Sequence, residues 1–416
     1  MRSMLLPLSL FAASILPMQA AGWSQWRGPH RDGVSPETGL LKSWPQGGPE
    51  LAWSIKGLGK GLASVSVREG KIYTMGSRKE GQMVIAYDAS TQKELWATPV
   101  SKHGGEPRCT PTIEGGMVYS ISDDGEVLCC AAADGKPIWR KSYQKDFGDP
   151  PKPGWQFSES PLVDGDRIIL TPGHPGHFMV ALNAKSGAAI WTLKVKLEGD
   201  GHEGAGYTGP VISHAGGVKQ YVTMVGKGAI GVSAKDGKLL WHYNKVANGT
   251  AVIPTPLVWD DYVFVSSGYQ TGAALLKLRK AGSGIKAEEQ YFLDHRKFQN
   301  HHGGMVRVGG YIYAGTGHNN GFPICIEWKT GKAVWKQDRG PGRESAAVIA
   351  ADGNLYFRYQ DGIMALISAS PDGYEENGVF KLPFIDGPSW PHPAIDGKKL
   401  YLRSQDVLMC FNVAGK

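Results

Sequence analysis

Cysteine is scarce in this chain. Cys109, Cys129, Cys130, Cys325 and Cys410 are the only five in 416 residues. So few thiols do not staple a fold of this length, and none of their spacings suits a zinc site. An odd number leaves at least one unpaired, so they are expected as small buried hydrophobes in strands. Charge of one sign is also short. The net charge is +7, and Lys93, Lys136, Lys238 and Lys332 fall singly near turns. No Lys/Arg block forms a stripe for phosphates, which removes nucleic acid as an expected partner. Beyond residue 20 no apolar run approaches the ~20 residues needed to cross a bilayer, so no transmembrane segment is expected.

The first residues read as an export signal. Arg2 supplies a positive start, Leu5 to Leu16 is apolar, and Met18-Gln19-Ala20 offers a small residue at a cleavage point. The run is too short, and too broken by Pro7 and Pro17, to anchor in a membrane. The expected layout is a signal peptide over 1–20, an N-terminal extended segment over 21–49, and one domain over 50–416. The expected location is periplasmic or secreted.

What is abundant is glycine, at 57 residues, together with 26 prolines and 13 tryptophans. Such a chain turns often and forms few long helices. A phrase recurs in it: a small apolar run, a polar turn with Gly, then Trp. It reads AYDASTQKELW to Trp96, CAAADGKPIW to Trp139, ALNAKSGAAIW to Trp191, GVSAKDGKLLW to Trp241 and CIEWKTGKAVW to Trp335. A strand-rich period of about 40–50 residues specifies a radial or solenoidal array. Gly135, Gly187, Gly237 and Gly331 stand where a hairpin needs positive φ, and Gln92 departs from that pattern.

Eight units can be counted. Unit five replaces the Trp phrase with KAEEQYFLD and unit seven with ENGVFKLPF. The eighth ends at MCFNVAGK without a fourth strand, while Glu50 to Ile55, around Trp53, looks like a fourth strand with no unit before it. Pairing the two closes the ring and removes the open edge. The predicted fold is all-β: an eight-bladed β-propeller of four-stranded antiparallel blades, expected as a monomer, with each Trp packed between neighbouring blades.

These phrases resemble the pyrroloquinoline-quinone (PQQ) type propeller repeat, Ala-x-Asp-x-x-Thr-Gly-x-x-x-Trp. The segment WSQWRGPHRDGVSPETGLLKSWP is similar to the start of an exported PQQ-like group common in Planctomycetes-like bacteria. The resemblance implies one of two kinds of relative, the quinoprotein alcohol dehydrogenases or non-enzymatic propellers such as the scaffold lipoprotein of outer-membrane assembly. The repeat encodes blade packing, so it specifies fold far more than function.

A propeller gathers one short segment from each blade at the mouth of its channel. Aligning the unit openings gives Leu62, Arg108, Ser158, Tyr207, Ile253, His301, Glu344 and Trp390. The neighbouring loops add His103, Glu106, Trp155, His202, Glu203, Asn300, His318, Arg343 and His392. A solvated loop set would favour Ser, Asn and Lys. This one holds His, Arg, Glu and Trp, so a polar ligand pocket is expected at the mouth. The alternative is that these groups pair with one another and seal the channel. Arg108 and Arg343 could grip a carboxylate together or pair with Glu106 and Glu344. Trp155 and Trp390 could stack on a ring or pack between blades. His301 and His302 would face opposite ways on a strand, so His301 with His318 or His392 is the easier metal pair.

The quinoprotein resemblance implies PQQ and calcium, a carboxylate base, and a disulfide between adjacent cysteines. Glu106, Glu159, Glu203 and Asn300 could supply calcium ligands, but no spacing singles them out. Cys129-Cys130 falls inside a third strand, away from the mouth. The expected function is therefore a non-catalytic scaffold that binds a small polar or anionic molecule, a sugar among them, or another envelope protein. The alternative is a PQQ- and calcium-dependent dehydrogenase of alcohols or sugars. A lyase or hydrolase using Tyr207 with His202 or His301 is the third reading.

Overall fold

The computed structural model describes residues 22–282 and 284–415, so the expected signal peptide lies outside the described residues. Eight sheets form the eight blades. Among the described residues regular helix is limited to Tyr143–Phe147 and a 3-10 turn at Ala215–Gly217. Blade 2 shows the pattern, with strands Thr112–Glu114, Met117–Ile121, Glu126–Ala131 and Pro137–Ser142 running outward from the axis. β-Branched and aromatic residues alternate in these strands, and Gly115 and Gly116 turn the first hairpin at φ 57° and 76°. The sheet pairing Glu50–Lys56 with Val407–Asn412 completes blade 8, with Trp53 opposite Cys410 and Leu51 opposite Phe411.

The repeated Trp works as an interblade staple. The indole Nε1 of Trp96 donates to Ala132 O at 3.2 Å, that of Trp139 to Ala184 O at 2.8 Å, and that of Trp191 to Ala234 O at 3.2 Å. Each acceptor belongs to the next blade. The Gly of that blade's turn lies against the same ring. A Cβ on Gly135 would come 2.6 Å from Trp96, and one on Gly187 2.9 Å from Trp139. The glycine is thus required twice, by its left-handed φ and by the neighbour's indole. Unit five keeps the arrangement without Trp: the Tyr291 hydroxyl donates to Trp328 O at 2.7 Å, and Gly331 lies against its ring.

In all eight blades the outer strand carries a β-bulge just before the staple position. The residue skipped by the ladder is Leu95, Ile138, Ile190 or Val334 in four of them, and these four are exposed. A bulge re-aims the following side chain, here the Trp, toward the next blade.

Blade 7 has Gly378 at the staple position, with φ 150°. The missing indole comes from elsewhere. Trp44 packs with its ring 5.9 Å from Tyr356, the separation that Tyr73 keeps from Trp96, and 5.1 Å from Phe380. A Cβ on Gly378 would sit 2.6 Å from Trp44 Cβ. The backbone N–H of Trp44 donates to Asn377 O at 2.8 Å.

The rest of the N-terminal segment does more than lead into the ring. Residues 22–33 cross the propeller axis in bends and turns, and Val34–Ser35 adds a parallel fifth strand to blade 7. Trp23 O accepts from Val67 N of blade 1 and Ser24 O from Ile113 N of blade 2. Arg31 donates to Ser160 O at 2.7 Å and Pro161 O at 2.9 Å beside blade 3. Trp26 Nε1 reaches Thr255 beside blade 5, and Arg27 reaches Met305 O of blade 6. Gly33 O accepts from Ala350 N of blade 7, and Asp396 of blade 8 accepts from Trp23 N. Seven blades are thus bonded to one short segment. Arg27 and Arg31 are almost fully buried, and burial lowers each guanidinium to about 10. Their buried donors are met mostly by carbonyls, as such groups require.

Candidate functional site

Above this segment lies a cavity of about 330 Å³, with Trp26 forming part of its wall. Of the eight positions aligned across the blades, Leu62, Arg108, Ser158, Tyr207, Ile253, His301 and Trp390 line the cavity, and Glu344 does not. The loops just ahead of the innermost strands supply them, one from each of seven blades.

Of the remaining sequence candidates, Trp155, His318 and His392 also line the cavity. Glu106, His202, Asn300 and Arg343 stand outside it. Glu106 offers its carbonyl to Arg108 Nη1 at 3.1 Å and its carboxylate to Gln405 at 3.5 Å. Asn300 is buried and bonded to Gly304 and Gly315, which makes it a loop brace. His202 lies against Tyr207 with ring centres 6.4 Å apart. The Arg343 side chain is 88 % exposed and 3.7 Å from Asp361, so it shares no grip with Arg108. The exposed Glu344 accepts from Gln360 Nε2 and stands behind the wall.

Sequence reasoning missed Trp26, Thr255, Tyr269, Asn319 and Gln360, all on the cavity wall. Tyr269 and His318 occupy second-to-third strand turns of blades 5 and 6, each at φ 56°. Left-handed residues other than Gly are costly and cluster at functional sites, but φ is invisible in sequence. The Trp and Arg density of SQWRGPHRDG was the available signal for Trp26.

The histidines form one hydrogen-bonded wall. His301 and His302 do not lie on a strand, and both rings face the cavity with centres 4.6 Å apart. Gln360 Oε1 accepts from Trp390 Nε1 at 2.5 Å and faces His302 Nε2 at 2.7 Å. Indole only donates, so His302 carries its proton on Nε2. Arg27 donates to His392 Nδ1 at 3.2 Å, which leaves the His392 proton on Nε2, 3.1 Å from His302 O. His301 bonds Ser345 at 2.6 Å and the Tyr269 hydroxyl at 3.0 Å, and His318 Nδ1 accepts from Tyr269 N at 3.2 Å. Burial, then the neighbouring His302 and His318, pushes His301 down to about 2. Burial chiefly holds His302 at about 4 and lowers His318 and His392 as well. The wall is neutral at ordinary pH. Gly304 is needed here, since a Cβ would strike Arg27 and crowd His392.

Arg108 is the one cation among the described residues of the cavity wall. Burial lowers its pKa, and Asp123 and Glu106 act against that. Asp123 is already engaged by Gln82 and by His103, whose Nδ1 lies 2.7 Å away. Arg108 Nε is buried without a partner. Tyr207 beside it accepts from Trp155 N at 3.2 Å. The pocket expected to be polar is therefore walled mainly by indoles, phenols, imidazoles and aliphatic groups around a single guanidinium.

A calcium–quinone pair does not fit this lining. Calcium takes six to eight oxygens, chiefly carboxylate and carbonyl. Among the described residues no carboxylate lines the cavity, and the side-chain amide oxygens of Gln360 and Asn319 already accept hydrogen bonds. Among the described residues no group of His, Cys, Asp and Glu is arranged to hold a metal ion. Cys129 and Cys130 lie buried and unpaired in the third strand of blade 2, where burial raises both thiols to about 12. No helix among the described residues is long and apolar enough to cross a membrane.

Known proteins fall on both sides of this chemistry. An outer membrane protein assembly factor BamB from Burkholderia pseudomallei is 28% identical over 149 residues, 36% of this chain and 35% of its own. The quinohemoprotein alcohol dehydrogenase ADH IIB of Pseudomonas putida is 30% identical over 135 residues, 30% of this chain and 18% of its own. The chain thus matches about a third of the length of the first curated relative and less than a fifth of the second. A europium-containing methanol dehydrogenase shares the fold at a TM-score of 0.66 and 14% identity, over 92% of this chain and 89% of that one. The sequence profile described as outer membrane protein assembly factor BamB matches residues 33–144 and 80–337. That match spans more than half of the sequence, and the chain belongs to this family of PQQ-like propellers.

Proposed function

We propose that this protein is an exported, non-catalytic propeller that binds a small organic anion in its axial pocket. Arg108 carries the reading. It is a partly buried guanidinium with an unpartnered Nε, set in the wall of a cavity that offers it no carboxylate. A cation so placed is stabilised by an incoming anion through charge-assisted hydrogen bonds. Most of the other polar groups of the wall bond one another, and no carboxylate among the described residues of the wall is free to act as base. Relatedness to an outer membrane assembly factor supports a place in the cell envelope, where a protein partner would meet the loop faces of the ring.

Reconstitution with PQQ and Ca²⁺, followed by a dye-linked alcohol assay, tests the reading. The expected result is no quinone-dependent turnover, with organic anions binding to the wild type and not to Arg108→Ala. A quinone-specific absorbance together with turnover abolished by Arg108→Ala would overturn it in favour of a dehydrogenase.

A further inference from the structure

We infer that the ligand is a flat aromatic acid with one carboxylate, its ring against the indoles of Trp26, Trp155 and Trp390 and its charge on Arg108. This rests on the pocket reading above and narrows it to a chemical class. Three observations on the wall select that class.

The first is the count of unused hydrogen-bonding groups. His302 and Trp390 are both committed to Gln360, and Gln360 to Glu344. His392 is held between Arg27 and His302 O, and His301 between Ser345 and Tyr269. Trp26 is bonded to Thr255, which also bonds Thr208. What stays free on the wall is the Arg108 guanidinium, the Asn319 amide N–H groups, the Trp155 indole N–H at the rim, the Tyr207 O–H and one ring nitrogen of His318. A sugar or sugar acid carries hydroxyls all round its ring. Those facing Trp26, Trp390 and His392 would be stripped of water without replacement, and each unmatched hydroxyl costs binding energy.

The second is charge. His392 is uncharged in its present bonds, since its Nδ1 accepts from Arg27 and cannot also hold a proton, and burial disfavours the charged form of His301, His302 and His318. One positive group therefore faces the ligand, which matches one carboxylate and leaves a di- or tricarboxylate with charge uncompensated. The third is shape. Trp155 and Tyr207 meet edge to face beside Arg108, with ring centres 6.1 Å apart. Trp26 lies 4.5 Å from His392, and Trp390 lies 5.4 Å from His302. Flat surfaces thus stand on both sides of the cavity, and aromatic rings pack on such faces in offset or edge-on contact.

Isothermal titration of the folded protein with four probes tests this. They are 2-naphthoate, cyclohexanecarboxylate (charged, not flat), 2-naphthol (flat, uncharged at neutral pH) and galacturonate. We expect 2-naphthoate to bind at least about tenfold more tightly than the other three. Arg108→Gln should lower naphthoate affinity about 10- to 100-fold and leave naphthol unchanged. Near-ultraviolet circular dichroism reports whether that variant keeps its packing. If it does not, Trp155→Leu serves instead, because its ring is exposed at the rim and its backbone bond to Tyr207 survives, and naphthoate affinity should fall a few-fold. Galacturonate or cyclohexanecarboxylate binding as tightly as naphthoate, with the same dependence on Arg108, would overturn the aromatic class and keep the anion pocket. Failure of all three acids to bind in an Arg108-dependent way would remove the pocket reading itself.

Discussion

The outer belt of this propeller and its axial mouth are built on opposite rules. In the belt blades 1, 2, 3 and 5 solve the same problem in the same way. A bulge turns a large ring toward the neighbour, a carbonyl receives its N–H or O–H, and a glycine lies beneath it. At the mouth seven blades contribute seven different side chains from equivalent positions. Repetition marks what holds the ring together, and divergence at matched positions marks what the ring presents. The N-terminal segment joins the two regions, since Trp44 repairs the belt at blade 7 while Trp26 and Arg27 build the pocket.

Breaking the belt should have the largest effect. Trp139→Ala removes a buried staple and leaves a cavity between blades 2 and 3, which should cost about 3–5 kcal/mol. Trp44→Ala should fall in the same range, although no repeat predicts it, because its indole fills the place left by Gly378. Trp155→Ala at the exposed rim should change stability by less than about 0.5 kcal/mol. Urea unfolding of the three variants measures this. A Trp44→Ala protein as stable as the wild type would refute the repaired staple.

The axial segment should rank next. Arg27→Met strands the carbonyl of Met305 and Nδ1 of His392, an expected loss of about 1–3 kcal/mol. Relief of burying the guanidinium offsets part of it, so the loss should be smaller than at Trp139. The same urea experiment ranks the two.

Acid should act on the mouth and spare the belt. Unfolded histidine takes a proton near 6.5, whereas burial holds His302 at about 4 and His301 at about 2. The folded state binds fewer protons across that window, so stability present above pH 6.5 should be lost as pH falls toward 4. Glu159 opposes this trend. It is buried against Tyr143, and desolvation raises it from 4.5 to about 7, so its contribution declines as pH rises between those values. Glu159→Gln should therefore steepen the loss on acidification, and His302→Gln should flatten it. Trp139→Ala should lower the urea midpoint by a similar amount at every pH. A pH slope altered by Trp139→Ala would mean that belt and mouth are not separable.

The belt was legible in the sequence because its contacts repeat. The spaced Trp and Gly residues gave the eight blades, and the orphan strand at Trp53 gave their closure. The first tier of the mouth followed from the same alignment, with seven of its eight positions on the cavity. What stayed hidden has no counterpart in other blades. Trp44 meets Tyr356 across more than 300 residues, and Arg27 meets His392 across 365. Tyr269 and Gln360 reach the wall through turns whose backbone geometry no local pattern announces.

Two arginines that the sequence placed together at the mouth give the smallest effect and the sharpest contrast. Arg108 is partly buried with its Nε unpartnered, while the Arg343 side chain is 88 % exposed. The Arg343 contact with Asp361 is 3.7 Å in water, a geometry worth little after screening. Asp361 also accepts from the Arg343 backbone N–H at 3.0 Å, and that bond survives any side-chain change. Arg343→Ala should therefore shift stability by no more than about 0.5 kcal/mol and leave 2-naphthoate affinity unchanged. Arg108→Gln should abolish most of that affinity. Equal losses in the two variants would mean that long-range field, and not contact in the pocket, attracts the anion, and raising the salt to about 1 M would then erase both.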